Sequence, residues 1–365
     1  MNGSATGWVN AHTHLYSGLV PFGMPPPTPA PRDFLAILSQ VWWRLDRAID
    51  AAALRASARW YVGQALLAGT TTLIDHHESP EVIEGSLDII ADACDELGIR
   101  ALLCYGATER NGGRDEARRG LAECARFVRE NRRPNVRGLV GLHASFTASR
   151  ATLLEAGVLA RSLGVGVHVH VAEDLADVEH ARREGATDPL ARLLEAEALP
   201  LGSILPHGVH LSAASVAEAG ALGLWIVQNP RSNEGNRVGY AGALAGSAHV
   251  ALGTDGWASD LREEFSALER LAAVHEPATP STELVQRLAG GRRLAEQHFG
   301  AGALVDDRVE CEAEAAPGTK PRVTRVVVAG RTVVDGGRLR TADAAELEAD
   351  ARRQAARLWT RVAAR

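Results

Sequence analysis

The chain has 365 residues, 46% hydrophobic and 23% charged, enough for one large α/β barrel or two ordinary domains. A net charge of −6, with basic residues spread out and no run of five or six, gives no electrostatic case for nucleic acid or an anionic membrane. The four cysteines form no C-x-x-C pair, no basic-then-apolar leader opens the chain, and no stretch reaches the ~18 apolar residues that span a bilayer, so a cytoplasmic protein with reduced thiols is expected.

Short apolar runs alternate with amphipathic segments from residue 8 onward. The first run, Trp8–Ala11, leads into His12-Thr13-His14. Residues two apart share a strand face, so these two imidazoles aim at one point. Residues 21–31 are proline-rich and read as a loop over the end of that strand. Phe34–Leu38 and Trp42-Trp43-Arg44-Leu45-Asp46 then suit either a core helix or a lid. Further strands are expected at Thr71–Asp75, Ala101–Tyr105, Gly138–Leu142, Val165–Val171, Ser203–Pro206, Trp225–Val227 and Val250–Gly253. Helical patterns lie between them, at Leu54–Ala68, Glu81–Leu97, Arg114–Glu130, Arg150–Leu163, Leu175–Glu184, Ala213–Leu222 and Leu261–Val274. Strands alternating with helices in this number predict an α/β fold, a (β/α)8 TIM barrel over residues 1–300. Beyond it Arg322–Val334 reads as a hairpin about Gly330-Arg331, and Ala342–Ala363 as a long amphipathic helix.

In such a barrel functional side chains gather at the C-terminal ends of the strands. His12 and His14 end the first strand, His76 and His77 the second, and His143 the fourth. His168 and His170 end the fifth, with Glu173 just beyond; His207 ends the sixth and Asp255 the eighth. A lone strand-end histidine is more often a satisfied core group, but the ordered set points to chemistry. His12, His14, His170 and Asp255 supply three imidazoles and a carboxylate, which suits one divalent metal with a position left for water. Zinc is favoured and iron also fits. The only lysine is Lys320, outside every barrel strand, so a two-metal site bridged by a carboxylated lysine is not expected. A bound metal lowers the pKa of its water towards ~7. Glu173 is then placed to protonate a ring nitrogen and Asp255 to pass a proton to a leaving amine. His207 is placed to hold the nucleophile and stabilise developing charge, and His143 to bind the substrate's polar edge. Glu173 alone would equally suit a helix N-terminus.

These residues, in this order, resemble the ATZ/TRZ-like branch of the amidohydrolase superfamily. Val9-Asn10-Ala11-His12-Thr13-His14 looks like the branch's strand-1 motif, and His168-Val169-His170-Val171-Ala172-Glu173 is similar to its strand-5 motif. Pro206-His207-Gly208-Val209-His210-Leu211, Asn229-Pro230-Arg231-Ser232-Asn233 and Leu252-Gly253-Thr254-Asp255-Gly256 resemble its later motifs. Trp42–Asp46, Asp75–Pro80 and Gly141–Thr147 look closest to SsnA-type aminohydrolases. The resemblance covers roughly residues 8 to 300. It implies a distorted barrel, one zinc or iron, and hydrolysis at an amino-substituted carbon. His12, His14, His170 and Asp255 match the ligands; Glu173, His207 and Asp255 match the proton-handling residues; His143 matches a substrate-contacting histidine. His77, Trp43 and Trp257 complete the candidate substrate-binding set.

The resembled proteins carry several dozen residues before the H-x-H strand, forming half of a β-sandwich, whereas eleven residues precede His12 here. The sandwich is therefore expected to be reduced, leaving a remnant hairpin and C-terminal helix over residues 301–365. The open strand edges would be covered by that helix or by a second subunit, hence a homodimer. A misplaced start codon would also produce the short N-terminus. The expected function is metal-dependent hydrolytic deamination of an aminated N-heterocycle, purine- or pyrimidine-like, or of a guanidine or amidine group. The partner is a small-molecule substrate. Cyclic-amide opening or dechlorination at the same site, and a non-catalytic amidohydrolase-like protein, are the alternatives. The other zinc deaminase fold is not represented, since no P-C-x-x-C occurs.

Overall fold

The computed structural model describes residues 3–312 and 321–364. In chain order its strands are β1 (Gly3–Thr6), β2 (Trp8–Thr13), β3 (Thr70–His77), β4 (Arg100–Ala107), β5 (Val136–Gly138), β6 (Val140–Ala144), β7 (Val167–His170), β8 (Ile204–Pro206), β9 (Trp225–Gln228), β10 (Val250–Leu252), β11 (Arg308–Cys311), β12 (Val323–Val328), β13 (Arg331–Asp335) and β14 (Arg338–Leu339). Strands β2, β3, β4, β6, β7, β8, β9 and β10 lie side by side in that order, and β5 pairs with β4. All of these pairings are parallel. The first and last strands meet at the rim. The amides of Thr254 and Asp255 donate to the His12 carbonyl at 2.9 and 3.0 Å, and Thr13 bridges Asp255. The sheet is thus a (β/α)8 barrel, as expected.

Local chemistry accounts for the elements. Every residue of β3 and β4 is buried, because a parallel barrel strand is covered on both faces. Five outer helices begin on a side-chain oxygen that accepts an amide two or three residues on: Asp50, Ser149, Asp174, Asp188 and Ser212. The helix expected from Glu81 starts only at Ser86, after Gly85 takes φ +80°. Helices Pro189–Glu195, Pro230–Gly235 and Ser281–Phe299 were not anticipated. In the last of these Gly290-Gly291 interrupts the apolar period that would reveal it.

The accessory region is larger than the expected hairpin. β12 and β13 do pair about Gly330, but they sit in an antiparallel sheet ordered β1-β11-β12-β13-β14, whose first strand comes from the N-terminal end. Asp307 joins this sheet to the barrel. Its carboxylate accepts from the Arg100 guanidinium at the start of β4 (3.1 and 3.4 Å) and from the Ala329 amide (2.8 Å). The C-terminal helix Ala344–Ala363 packs along helix Ala51–Leu67, and Trp359 donates its indole N–H to the Phe22 carbonyl at 2.9 Å. Leu347 of that helix and Leu339 of β14 both sit over Gly63, so the helix flanks the β14 end of the sheet.

Candidate metal centre

His12 lies in β2 and His14 follows it, β7 ends on His170, and Asp255 comes three residues after β10. Their tips converge. His12 Nε2 is 3.2 Å from His170 Nε2, and Asp255 Oδ1 is 2.9 Å from His14 Nε2 and 3.5 Å from His12 Nε2. One donor atom from each of the four lies within 4.8 Å of the others. The rear nitrogens set the tautomers. His14 Nδ1 is 2.5 Å from the His76 carbonyl oxygen and His170 Nδ1 is 2.5 Å from that of His143. Both must be Nδ1–H donors, which leaves their Nε2 lone pairs facing the centre. His12 Nδ1 faces His168 Nε2 at 3.0 Å, and donation in that direction frees a third Nε2 lone pair. Three imidazole nitrogens and a carboxylate oxygen aimed at one point fit a divalent metal with N/O coordination.

The electrostatics favour neutral His12 and His170 and, before any metal is bound, a charged His14 paired with an ionised Asp255. Burial pushes His12 down to about 3 and His170 well below its ordinary value. Burial also opposes charge on His14, but Asp255 outweighs it and raises His14 to about 9. Asp255, despite its burial, is held well below the carboxylate range by its bonds to His12 and His14. Its other oxygen accepts from the Ser232 hydroxyl. Three non-glycine residues at this rim, Ala172, His207 and Asp255, take φ of +51°, +76° and +52°. Such left-handed backbone is costly and persists where the surroundings hold it, as at functional sites.

Glu173, His207 and Asp255 form a second cluster on the chamber side of the ligands. Glu173 Oε2 is 3.5 Å from His207 Nε2, and Asn236 donates to Glu173 Oε1 at 3.2 Å. Burial, with the nearby Asp255 charge, raises Glu173 well above the carboxylate range. The environment thus favours the protonated form of Glu173 beside an ionised Asp255. His207 Nδ1–H donates to Asn233 Oδ1 at 2.9 Å, which leaves its Nε2 as an acceptor without a hydrogen-bond partner. Burial lowers its pKa as well.

The chamber is walled by His14, His143, His170, Glu173, His207 and Asp255, all singled out from the sequence. His12 sits beneath them, fully buried. The other candidates lie elsewhere. His77 is buried behind Tyr16 and is bonded to Ser79 Oγ at 2.7 Å. Trp43 stands behind His143, its indole N–H 3.4 Å from His143 Nε2 and its ring 4.9 Å from the Arg110 guanidinium. Trp42 takes the chamber wall instead, at the end of a π-helical turn over Leu38–Trp42 whose extra residue shifts which side chain faces inward. Trp257 lines a neighbouring cavity. Sequence reasoning missed Tyr16, Glu78 and Asn236 on the chamber wall. Glu78 is buried, with Oε1 3.0 Å from His76 Nδ1 and Oε2 3.8 Å from His143 Nε2. The signal was the Asp75-His76-His77-Glu78 run itself, in which the last residue carries the carboxylate that reaches inward.

The profile of the amidohydrolase family matches residues 6–314. The chain belongs to the amidohydrolase family. This amidohydrolase is 29% identical over 327 residues to a 5-methylthioadenosine/S-adenosylhomocysteine deaminase of Desulforudis audaxviator, covering 81% of this chain and 74% of that one. It is 28% identical over 380 residues to a 5′-deoxyadenosine deaminase of Methanopyrus kandleri, covering 93% and 83%. Its fold is similar to that of a zinc-bound adenosine deaminase from Xanthomonas campestris, with TM-score 0.83, 23% identity and coverage of 98% and 86%. It is also similar to that of a zinc-complexed atrazine chlorohydrolase from Arthrobacter aurescens, with TM-score 0.73, 20% identity and coverage of 96% and 88%. The deaminase names of the relatives agree with the aminohydrolase expected from the motifs. Among the described residues no helix is long and apolar enough to cross a membrane.

Proposed function

We propose that this amidohydrolase is a zinc-dependent deaminase that replaces the exocyclic amine of an adenine-type nucleoside with oxygen, releasing ammonia. The observation that carries the reading is that Glu173 Oε2 lies 3.5 Å from His207 Nε2, an acceptor nitrogen, on the open side of the ligand cluster, where burial raises the Glu173 pKa and favours its protonated form. The three-nitrogen, one-oxygen donor set suits zinc and iron alike, and the zinc-bound structural neighbours favour zinc. When bound, the ion supplies Lewis acidity and a water whose pKa falls towards ~7.

The chain's own residues do the rest. His207 Nε2 accepts a hydrogen bond from the attacking water and orients it. Its tautomer makes it an acceptor, so it does not serve as the hydrogen-bond donor to an oxyanion. Asp255, held ionised, takes the water's proton. Glu173 gives its proton to the ring nitrogen beside the attacked carbon, which becomes tetrahedral. The proton on Asp255 then moves to the amine, the C–N bond breaks with ammonia leaving, and the hydroxyl proton of the former tetrahedral carbon passes to Glu173 as the C=O bond forms. His143 and Glu78 present a polar edge to the ring from the opposite wall. Zinc-loaded protein is expected to release ammonia from adenosine, 5′-deoxyadenosine or 5′-methylthioadenosine. The Glu173→Gln variant should keep its zinc and lose about 10²–10⁴-fold in kcat. A zinc-loaded protein inert towards a panel of aminopurine and aminopyrimidine nucleosides would overturn the reading.

A further inference from the structure

Beside the metal chamber lies a second cavity that the proposed chemistry does not use. Its volume is about 610 Å3, against about 50 Å3 for the chamber. Small-molecule sites run from about 300 to 1,000 Å3, so the chamber falls below that range while the side cavity lies within it and has room for a substantial group. The two adjoin, with Trp42, Asn236 and Gly256 lining both. Val20, Pro21, Met24, Val41, Trp60 and Trp257 supply the side cavity's apolar surface, and none of the residues lining it is charged. Its hydroxyl groups are spent on the barrel itself, while Gln64, which also lines it, is exposed. The Tyr61 hydroxyl donates to the Trp257 carbonyl at 2.6 Å, the Ser17 hydroxyl to the His14 carbonyl at 2.8 Å, and Ser259 Oγ accepts from Asn10 at 3.0 Å. Asn236 is turned to Glu173. Trp257 is nonetheless 45% exposed, an aromatic left open at the edge of a buried site.

We propose that this cavity is the subsite for an uncharged, apolar substituent of the substrate, which for a nucleoside is the group on the 5′ carbon. The inference rests on the deaminase reading and extends it: the protein selects alkylthio or arylthio nucleosides and disfavours one whose tail is a zwitterionic amino acid. Such a tail would lose its hydration against Trp42, Trp60 and Trp257 with no lining charge to pair either end. An apolar tail gains from the same walls, about fourfold in binding for each buried methylene.

The test is a ladder of 5′-substituted adenosines with the zinc-loaded enzyme: 5′-deoxy, 5′-methylthio, 5′-butylthio and 5′-phenylthio, beside S-adenosylhomocysteine. From 5′-methylthio to 5′-butylthio, kcat/KM is expected to climb by about fourfold per methylene through KM, with kcat nearly flat, because the tail is held equally in ground and transition states. S-adenosylhomocysteine should fall at least tenfold below the butylthio compound. Met24→Glu, in a surface loop, should cut the butylthio-to-deoxy ratio at least tenfold. Quenching of tryptophan fluorescence gives Kd for the same ladder without turnover. If no member is deaminated, the activity reading fails, and the Kd ladder still decides the subsite. A flat Kd ladder, a Met24→Glu ratio equal to that of the parent, or S-adenosylhomocysteine binding as well as the butylthio compound would overturn the inference.

Discussion

Gly253 leaves no room for a side chain. A Cβ there would lie 2.6 Å from Asn229 Oδ1 and 2.8 Å from both the Cβ and the amide nitrogen of His12. The rim is tight at this point because β10 turns towards Asp255 directly beneath a metal ligand. Gly253→Ala must displace His12 or Asn229, so we expect a loss of about 10–100-fold in metal affinity, the scale seen when the support of a ligand is disturbed. Metal analysis of purified variant and parent, with zinc titration of the stripped proteins, measures this; one tightly held zinc per variant chain would contradict it. The convergence of His12, His14, His170 and Asp255 was legible from sequence, because alternate strand residues and strand-end positions restrict where these side chains can point. Trp42 was not, since the π-helical turn that swaps it with Trp43 leaves no mark in the residue pattern. Glu78 lies one residue beyond the two histidines that draw the eye, and only its 3.0 Å approach to His76 shows that it turns inward.

At the scale of elements, helix Ser281–Phe299 shows how much the barrel depends on a segment with a faint signature. Its Gly290 lies so close to β10 that a Cβ would meet the Val250 carbonyl oxygen at 1.9 Å, and its Gly291 does the same to Val9 of β2 at 2.9 Å. The two glycines that obscure the helical period are those that let the helix rest on both strands of the closing seam. The barrel strands, by contrast, were read to within about two residues at their ends, because burial on two faces makes them largely apolar runs. β1 and β11 escaped notice for the opposite reason: Gly-Ser-Ala-Thr and Arg-Val-Glu-Cys acquire strand character only by pairing with each other and with β12. Near its end the same helix carries His298, whose ring N–H donates to the Gly202 carbonyl at 3.1 Å, and burial pushes it down to about 4. The folded form therefore favours the neutral ring. Its contribution is complete above the ordinary value of 6.5 and is lost as pH falls through the window from 6.5 to 4, amounting to on the order of 3 kcal/mol. His298→Gln keeps a donor and removes the titration. Urea midpoints measured across that window should fall less steeply for the variant than for the parent, and parallel curves would show that His298 is not a source of the slope.

For the whole molecule, the decisive feature is where the barrel closes. β2 and β10 are joined at the rim by the amides of Thr254 and Asp255 on the His12 carbonyl. Below them Asn10 donates to Thr254 Oγ1 at 2.7 Å and accepts from the Thr254 amide at 3.1 Å. Tyr61 reaches in from helix Ala51–Leu67 to touch both Thr13 and Thr254. The proposed metal ligands straddle the same seam, with His12 on the first barrel strand and His14 just after it, Asp255 after the last strand, and His170 across the interior. A bound ion is thus a fourth tie between strands that are 240 residues apart in the chain, as Asn10 and Thr254 are separated by 244. Binding to the folded state alone stabilises by about 4 kcal/mol when free metal is 1,000-fold above Kd. Stripping the metal should lower the melting temperature, and the loss should be local. Amide exchange at Thr254 and Asp255 should accelerate strongly, while the amides of Val326 and Val334, paired in the accessory sheet, should change little. Equal acceleration at both places would mean that the metal stabilises the fold as a whole; protection confined to the seam would mean that the catalytic cluster also locks the ends of the barrel together.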